Sequence, residues 1–189
     1  MAQKPLDRPP LSRPFMVDDW RDDEAKLAFV ADEAEREALA TALGLPAVTG
    51  LSAEFKLVRR TGGRIHATGH LSATIIRICV VSLDPFETEV SEPIDVIFAS
   101  EAESEATRRR LREGHDISDA TPEAEPPDPI IDGQIDLGVL ATEFLALGLD
   151  PYPRKPGADF IAPREADSAG DSPFTVLGQL TRPPDSPKE

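Results

Sequence analysis

The feature that most constrains the fold is strict alternation of apolar and polar residues in the middle of the chain. It runs from Leu51 to Leu57, breaks at Thr61-Gly62-Gly63, and resumes from Ile65 to Ala73. A period of two is typical of strands with one buried and one solvated face, and glycines suit a tight connection between them. This region therefore predicts a β-hairpin with one polar, solvent-facing side.

More strands are expected on both sides of this hairpin. Residues 74–83 are apolar on both faces, as in a central strand, and alternation returns in residues 86–91 and again in residues 94–98. Shorter strands are predicted at residues 12–17 and 26–31. The middle of the chain is thus an antiparallel meander of four or five strands.

Helix signals flank the meander. Asp32 and Glu35 have the spacing of a capping box at the start of a helix over 32–43, and Gly44 ends it. A second helix is predicted over 136–148, and a short one begins at Ser172-Pro173. The predicted fold class is α+β: a curved antiparallel β-sheet or partial barrel, covered by two main helices and a short C-terminal helix.

The domain organisation follows from where the core signal is lost. Residues 1–11 are predicted to be a flexible N-terminal arm and residues 182–189 a flexible tail. Residues 12–181 are expected to form a single domain, interrupted at 100–129 by an acidic linker in which 101–112 could be a charged, exposed helix.

Charge limits the partners. The chain has 20 Lys and Arg against 35 Asp and Glu, a net charge of -15. Such a surface disfavours binding to naked nucleic acid and favours a basic protein partner, although the excess acid could serve solubility alone. No segment reaches the ~20 apolar residues that span a bilayer. We expect a cytoplasmic protein without membrane contact.

The single cysteine, Cys79, is the main candidate for chemistry. A nucleophilic thiol needs a base and a cation or helix terminus, and only Arg77 is expected on the same face of the strand, so core packing is the favoured interpretation. His66 and His70 would lie ~13 Å apart on one strand, too far to share a metal ion. No catalytic motif is present, and we expect no metal, cofactor or small-molecule substrate.

Three basic spots could contact a partner. They are Arg59, Arg60 and Arg64 beside the hairpin turn, the arginines between 108 and 112, and Arg154-Lys155. The first two are expected to balance neighbouring acids. The last belongs to a rigid, aromatic and basic segment that suits a docking surface, although a stiff strap between helices is the alternative. The residues of this predicted site are Asp150, Pro151, Tyr152, Pro153, Arg154 and Lys155.

Several ordered segments resemble the YceD family of large ribosomal RNA subunit accumulation proteins. They are "ATIIRICVVSLDPFETEVSEPIDVIF", "IIDGQIDLGVLATEFLALGLDPYPRKPGADF" and "SPFTVLGQL", in the family's order. The resemblance implies a bacterial, non-enzymatic factor in ribosome biogenesis. Many relatives carry a C-x-x-C pair at the central strand, and here Cys79 matches its first position while Ser82 stands at the second.

The leading hypothesis is therefore a factor that supports accumulation of large-subunit ribosomal RNA through contact with a basic ribosomal protein or a large-subunit precursor particle. Two alternatives stay open. One is a cysteine-dependent enzyme that uses Cys79, and the other is a scaffold for an unrelated protein partner.

Overall fold

The computed structural model describes residues 9–112 and 126–159 of the chain. By its internal contacts the chain separates into Met1–Ala158 and Asp159–Glu189, and every element described below lies in the first unit. Those elements, in chain order, are β1 (Pro14–Met16), β2 (Glu24–Val30), α1 (Glu33–Leu43), β3 (Ala47–Arg59), β4 (Ile65–Ile78), β5 (Pro85–Ser100), α2 (Glu101–Arg112), β6 (Asp128–Ile130), β7 (Gln134–Asp136) and α3 (Leu137–Leu147).

The main sheet has the strand order β2-β3-β4-β5-β6, and β1 pairs separately with β7. All neighbours in the main sheet are antiparallel except β5 and β6. The antiparallel meander and the α+β class are confirmed. The partial barrel is not, because the five strands form an open sheet in the part of the chain that the structure describes.

One predicted break in the meander is absent. Residues 86–91 and 94–98 were expected as separate strands, but β5 runs through Pro93 without interruption. β5 pairs with β6 only at residues 98–100, so Pro93 has a paired neighbour on the β4 side alone. A strand edge tolerates proline because no ladder hydrogen bond is lost on its open side.

The two predicted helix starts are confirmed by their caps. Asp32 accepts a hydrogen bond from Glu35 N, Glu35 caps the Asp32 N–H in return, and Gly44 ends α1 at a φ of 65°. Asp136 caps α3 by accepting hydrogen bonds from the backbone N–H groups of Gly138 and Val139. Each carboxylate satisfies N–H groups that a helix end leaves without an internal partner.

The description as two main helices is incomplete, because α2 is as long as the others. It packs against β6 and β5, with Ser104 fully buried. The predicted linker at 100–129 therefore begins as a helix and ends in the edge strand β6, while residues 113–125 lie outside the described part. The predicted helix from Ser172 and the tail at 182–189 also lie outside it.

The core occupies one face of the sheet, as the alternation predicted. Its largest fully buried side chains include Leu39 of α1, Leu57 of β3, Leu71 of β4 and Leu145 of α3. Leu11 is 1% exposed, so residue 11 belongs to the core rather than to the predicted flexible arm.

The segment after Leu11 is tied to the start of α3. Ser12 Oγ and the Arg13 N–H donate to the Asp136 carboxylate at 2.6 and 2.7 Å. Arg13 also forms a bidentate ion pair with Glu35, at 2.6 and 2.9 Å. Residues 12 and 13 thereby connect the N-termini of α1 and α3.

Gly69 lies in the centre of the sheet, paired with Phe55 on β3 and Ile94 on β5. A Cβ at this position would lie 2.2 Å from the carbonyl oxygen of Glu54. The two backbones approach too closely for any side chain, which explains the glycine within a strand.

Candidate functional site

The first half of the candidate site is the turn that carries Cys79. β4 ends at Ile78, so the prediction of a strand continuing to residue 83, with Cys79 in its middle, was wrong. Residues 79–84, here called the cysteine turn, are closed by hydrogen bonds from Cys79 N to Asp84 O and from Leu83 N to Cys79 O, both 2.9 Å. Leu83 has a φ of 62°, the left-handed conformation that reverses the chain before Pro85 starts β5.

The second half is the proline-rich segment 150–158, which follows α3. Pro153 is buried, whereas Pro151, Tyr152, Arg154 and Lys155 are exposed. The Tyr152 N–H donates to the Asp150 carboxylate at 2.8 Å, a local turn that fixes the start of the segment.

The structure places these two halves against each other, although they are about 70 residues apart in sequence. Val80 N donates to Pro153 O at 2.9 Å, and the Arg77 guanidinium donates to Asp150 O at 2.6 Å. Lys155 Nζ lies 3.6 Å from Asp84 Oδ2. The predicted docking residues and the predicted paired-cysteine position, which were treated as separate features, therefore form one site.

The Cys79 sulfur lies at the centre of this junction and is completely buried. It accepts hydrogen bonds from Val81 N and Ser82 N at 3.4 Å each, and from Lys155 N at 3.3 Å. The Ser82 side chain, together with the backbone N–H groups of Ser82, Lys155 and Val81, lowers the pKa of the Cys79 thiol from 9.0 to about 6, although burial opposes the shift.

These donors change the interpretation of the thiol. Core packing was expected, and burial agrees with it, but an ordinary packed cysteine is a weak hydrogen-bonding group in apolar surroundings. Here N–H groups from both halves of the site converge on the sulfur, which favours the thiolate. Cys79 thus links the cysteine turn to segment 150–158.

Exposed apolar side chains concentrate at the same place. Nine large hydrophobic residues are strongly exposed in the described part of the chain, and five of them belong to the two halves of the site or to the ends of β4 and α3 that lead into it. These five are Ile78 at 42%, Val80 at 46%, Leu83 at 74%, Leu147 at 79% and Tyr152 at 72%. We call Val80, Leu83, Tyr152, Arg154 and Lys155 together the turn surface.

Sequence reasoning found Tyr152, Arg154 and Lys155 but missed Val80 and Leu83. The available signal was the Leu83-Asp84-Pro85 sequence, which is typical of a turn and should have ended the predicted strand earlier. Exposed apolar side chains around one junction are a feature of protein contact sites.

The other residues singled out from the sequence have local partners. His66 Nε2 lies 2.7 Å from Asp95 Oδ1, and His70 Nε2 lies 2.9 Å from Ser91 Oγ, both on the solvated sheet face. Arg64 pairs with Glu103 of α2, as expected for a basic residue that balances an acid.

Two more arginines of the basic spots differ in their contacts: one balances an acid and the other holds the backbone. Arg108 lies 3.6 Å from Asp128, an exposed ion pair of the expected kind. Arg59 instead stacks on the Trp20 ring, with 4.5 Å from its guanidinium carbon to the ring centroid, and donates to the carbonyl oxygens of Val17 and Trp20. Its function is therefore to hold the chain between β1 and β2.

Two general features complete the description. No cluster of three or more His, Cys, Asp or Glu side chains within residues 9–112 and 126–159 is placed to hold a metal ion. Among those residues there is also no helix with the length and apolar character needed to cross a membrane.

Fold and site together define the class: an α+β protein with an open antiparallel sheet and an exposed apolar and basic surface at one sheet end. Comparison with known protein families matches residues 67–180 to the family described as "Large ribosomal RNA subunit accumulation protein YceD". The match covers more than half of the 189 residues, and the chain belongs to this family. No curated protein and no solved structure matches the chain significantly.

Proposed function

We propose that this protein is a factor in large ribosomal subunit biogenesis, which supports accumulation of large-subunit ribosomal RNA by contact with a basic ribosomal protein or a precursor particle. The observation that carries the proposal is the family match. It begins within β4 and spans both the cysteine turn and segment 150–158.

The turn surface is the proposed contact site. Tyr152 and Leu83 are each more than 70% exposed, and Tyr152 lies between two prolines that limit the entropy lost when a partner binds. Aromatic and arginine side chains on a rigid support are the usual centres of protein interfaces. Arg154 and Lys155 could also contact RNA within a protein-lined setting, although the net charge of -15 opposes extended binding to naked nucleic acid.

The burial and hydrogen bonding of the Cys79 sulfur support a non-enzymatic role. The sulfur is inaccessible to a substrate unless the cysteine turn and segment 150–158 separate, and its hydrogen bonds hold those two halves together. The second candidate function, a cysteine-dependent enzyme, is favoured by one observation, the lowered pKa of the thiol. A scaffold for an unrelated partner is the third.

The proposal is tested in a deletion strain complemented with tagged variants. The double variant Tyr152→Ala/Leu83→Ser should fold normally, lose co-purification with large-subunit precursors or a basic ribosomal protein, and fail to restore large-subunit ribosomal RNA. The matched control Ile97→Ala removes an apolar side chain that is 42% exposed on β5, outside the turn surface, and should behave as wild type.

Cys79→Ser separates the candidate functions. A structural thiol predicts lower stability with retained function when the protein is folded, whereas a nucleophile predicts complete loss of function in a folded variant. Normal ribosomal RNA after deletion, together with no recovery of precursors or basic ribosomal proteins, would refute the assembly role. Recovery of an unrelated complex instead would favour the scaffold.

A further inference from the structure

The two edges of the main sheet differ in how they are closed. β6, at one edge, has three residues and packs against α2. β2, at the other, has seven residues and pairs only with β3, and no strand pairs with its outer side in the part of the chain that the structure describes. An open edge carries free backbone donors and acceptors that can pair with another extended chain.

The pairing register identifies those free groups. Ala31 N donates to Leu51 O and Arg59 N donates to Asp23 O, so odd-numbered residues of this stretch direct their N–H and C=O groups to β3. In an antiparallel pair the intervening residues direct theirs away. The free groups of β2 therefore belong to its even-numbered residues: Glu24, Lys26, Ala28 and Val30.

β2 has little of the protection that exposed edges usually have. It contains no proline, and its register with β3 is continuous from Glu24 to Val30 without a bulge. Lys26 is the single lysine of the strand, and its Nζ lies 3.5 Å from Glu24. Val30 is 70% exposed. Natural sheets normally block such an edge with charge, proline or bulges.

Charge at the two ends of β2 indicates what could bind there. Asp22 and Asp23 at its start, next to Arg21, and Asp32 and Glu33 at its end are exposed. The Glu24 carboxylate is already balanced by Lys56 and Lys26, at 2.8 and 3.5 Å. A strand added along β2 would pass close to both acidic groups, which favours lysine and arginine in that strand.

A second copy of the chain is disfavoured by the same criterion in the register that pairs the whole of β2 with itself. Antiparallel pairing of two β2 strands about Leu27 would set Asp22 of one copy opposite Asp32 of the other. Like charges directly across a strand pair are destabilising. We propose that the open edge of β2 binds an extended, basic segment of a protein partner as an additional strand.

The first test uses three peptides and the full chain. The probe is a fluorescent peptide of alternating lysine and valine, and binding is followed by anisotropy at low salt. One control peptide is N-methylated at every residue, which removes the backbone donors on both of its edges and preserves charge. The other has glutamate in place of lysine. Both should bind at least about tenfold more weakly than the probe.

The second test uses a matched pair of variants at one position. Ala28→Pro removes an N–H that faces the open side and should leave the β3 pairing intact, whereas Ala28→Val keeps that N–H. We expect the proline variant to lose at least about tenfold in peptide affinity and the valine variant to bind as wild type. Circular dichroism verifies the fold of both, and the N-methylated peptide keeps the test decisive if the proline variant unfolds.

Three outcomes would overturn the proposal: equal binding of the N-methylated and unmodified peptides, no saturable binding of the probe, or a dimer that Ala28→Pro converts to monomer. Equal binding would indicate charge attraction alone, and the dimer would identify a second copy as the occupant. The inference depends on β2 alone. Its failure would leave the proposed role of the turn surface unchanged.

Discussion

The thiol of Cys79 should titrate near pH 6 in the folded protein, well below its ordinary pKa of 9.0. The physical reason is specific to the junction between the cysteine turn and segment 150–158. The Ser82 side chain is the largest cause of the lowered pKa, followed by the N–H groups of Ser82 and Lys155. The perturbation we propose is therefore Ser82→Ala, with pH as the second variable.

The lowered pKa should greatly increase the thiolate fraction of Cys79 at neutral pH. With a pKa of about 6, roughly 90% of the Cys79 sulfur is thiolate at pH 7, whereas a pKa of 9.0 gives roughly 1%. Ser82→Ala should raise the pKa, so the midpoint moves upward and the thiolate fraction at pH 7 falls. Ser72→Ala, on the solvated face of β4, is the matched control and should leave the midpoint unchanged.

The assay is ultraviolet absorbance of the thiolate, corrected with Cys79→Ser as the blank. Alkylation provides an independent reading. Since the sulfur is fully buried, we expect slow alkylation even where most of it is thiolate. A fast reaction at neutral pH would instead show that the site opens readily.

The free energy of unfolding must depend on pH through the same lowered pKa of Cys79. Because the pKa is lower in the folded than in the unfolded protein, the thiolate stabilises the fold fully above pH 9, and this contribution is lost as pH falls through about 6. The free energy of unfolding of wild type should rise relative to Cys79→Ser between these limits. A midpoint near 9, or one that Ser82→Ala does not move, would refute the reasoning.

Three further predictions concern the fold. Gly69→Ala should lower the free energy of unfolding by about 3 kcal/mol, because the new Cβ meets the Glu54 carbonyl, whereas Gly50→Ala, with no atom closer than 3.7 Å, should change it by less than about 1 kcal/mol. Asp136→Ala should cost about 2 kcal/mol in urea unfolding, since it removes the cap of α3 and the bonds to residues 12 and 13. Burial raises the pKa of Asp136, but the Ser12 hydroxyl and the backbone N–H groups outweigh burial and lower this pKa. The stability that the carboxylate gives the wild-type protein should therefore decline as pH falls through the lowered pKa. Lys155→Ala should change thermal stability by less than about 0.5 kcal/mol, because its side chain forms an exposed ion pair with Asp84 in the described part of the chain and its N–H, which holds the sulfur, is kept.

The sheet and two helices were predictable because their signals are local. Alternation from Leu51 to Leu57 fixes which face of β3 is buried, and the caps at Asp32 and Asp136 fix where α1 and α3 begin. The end of β4 was not predictable in the same way. Four of residues 79–83 are apolar, so periodicity extends the strand to the turn signal at Leu83-Asp84-Pro85. The chain in fact leaves the strand at Cys79, whose N–H bonds to Asp84 O within the turn.

The candidate site was predictable only in pieces. Segment 150–155 was found from its prolines, tyrosine and cations, and Cys79 from its rarity, but no sequence pattern indicates that the Lys155 N–H reaches the Cys79 sulfur. Such a contact depends on the direction in which α3 leaves the sheet. The open edge of β2 likewise depends on strand order, which periodicity does not determine.

The pairing of β1 with β7 has a consequence for the order of folding during synthesis. β2 to β5 are joined by neighbouring connections and can pair as soon as residue 100 has left the ribosome, whereas Pro14 pairs with Asp136, more than 120 residues later. The N-terminal residues are therefore synthesised first but can pair with β7 only at a late stage. We expect pulse proteolysis of stalled chains to find residues 24–100 protected before residues 11–16, whose protection should begin only when α3 has emerged.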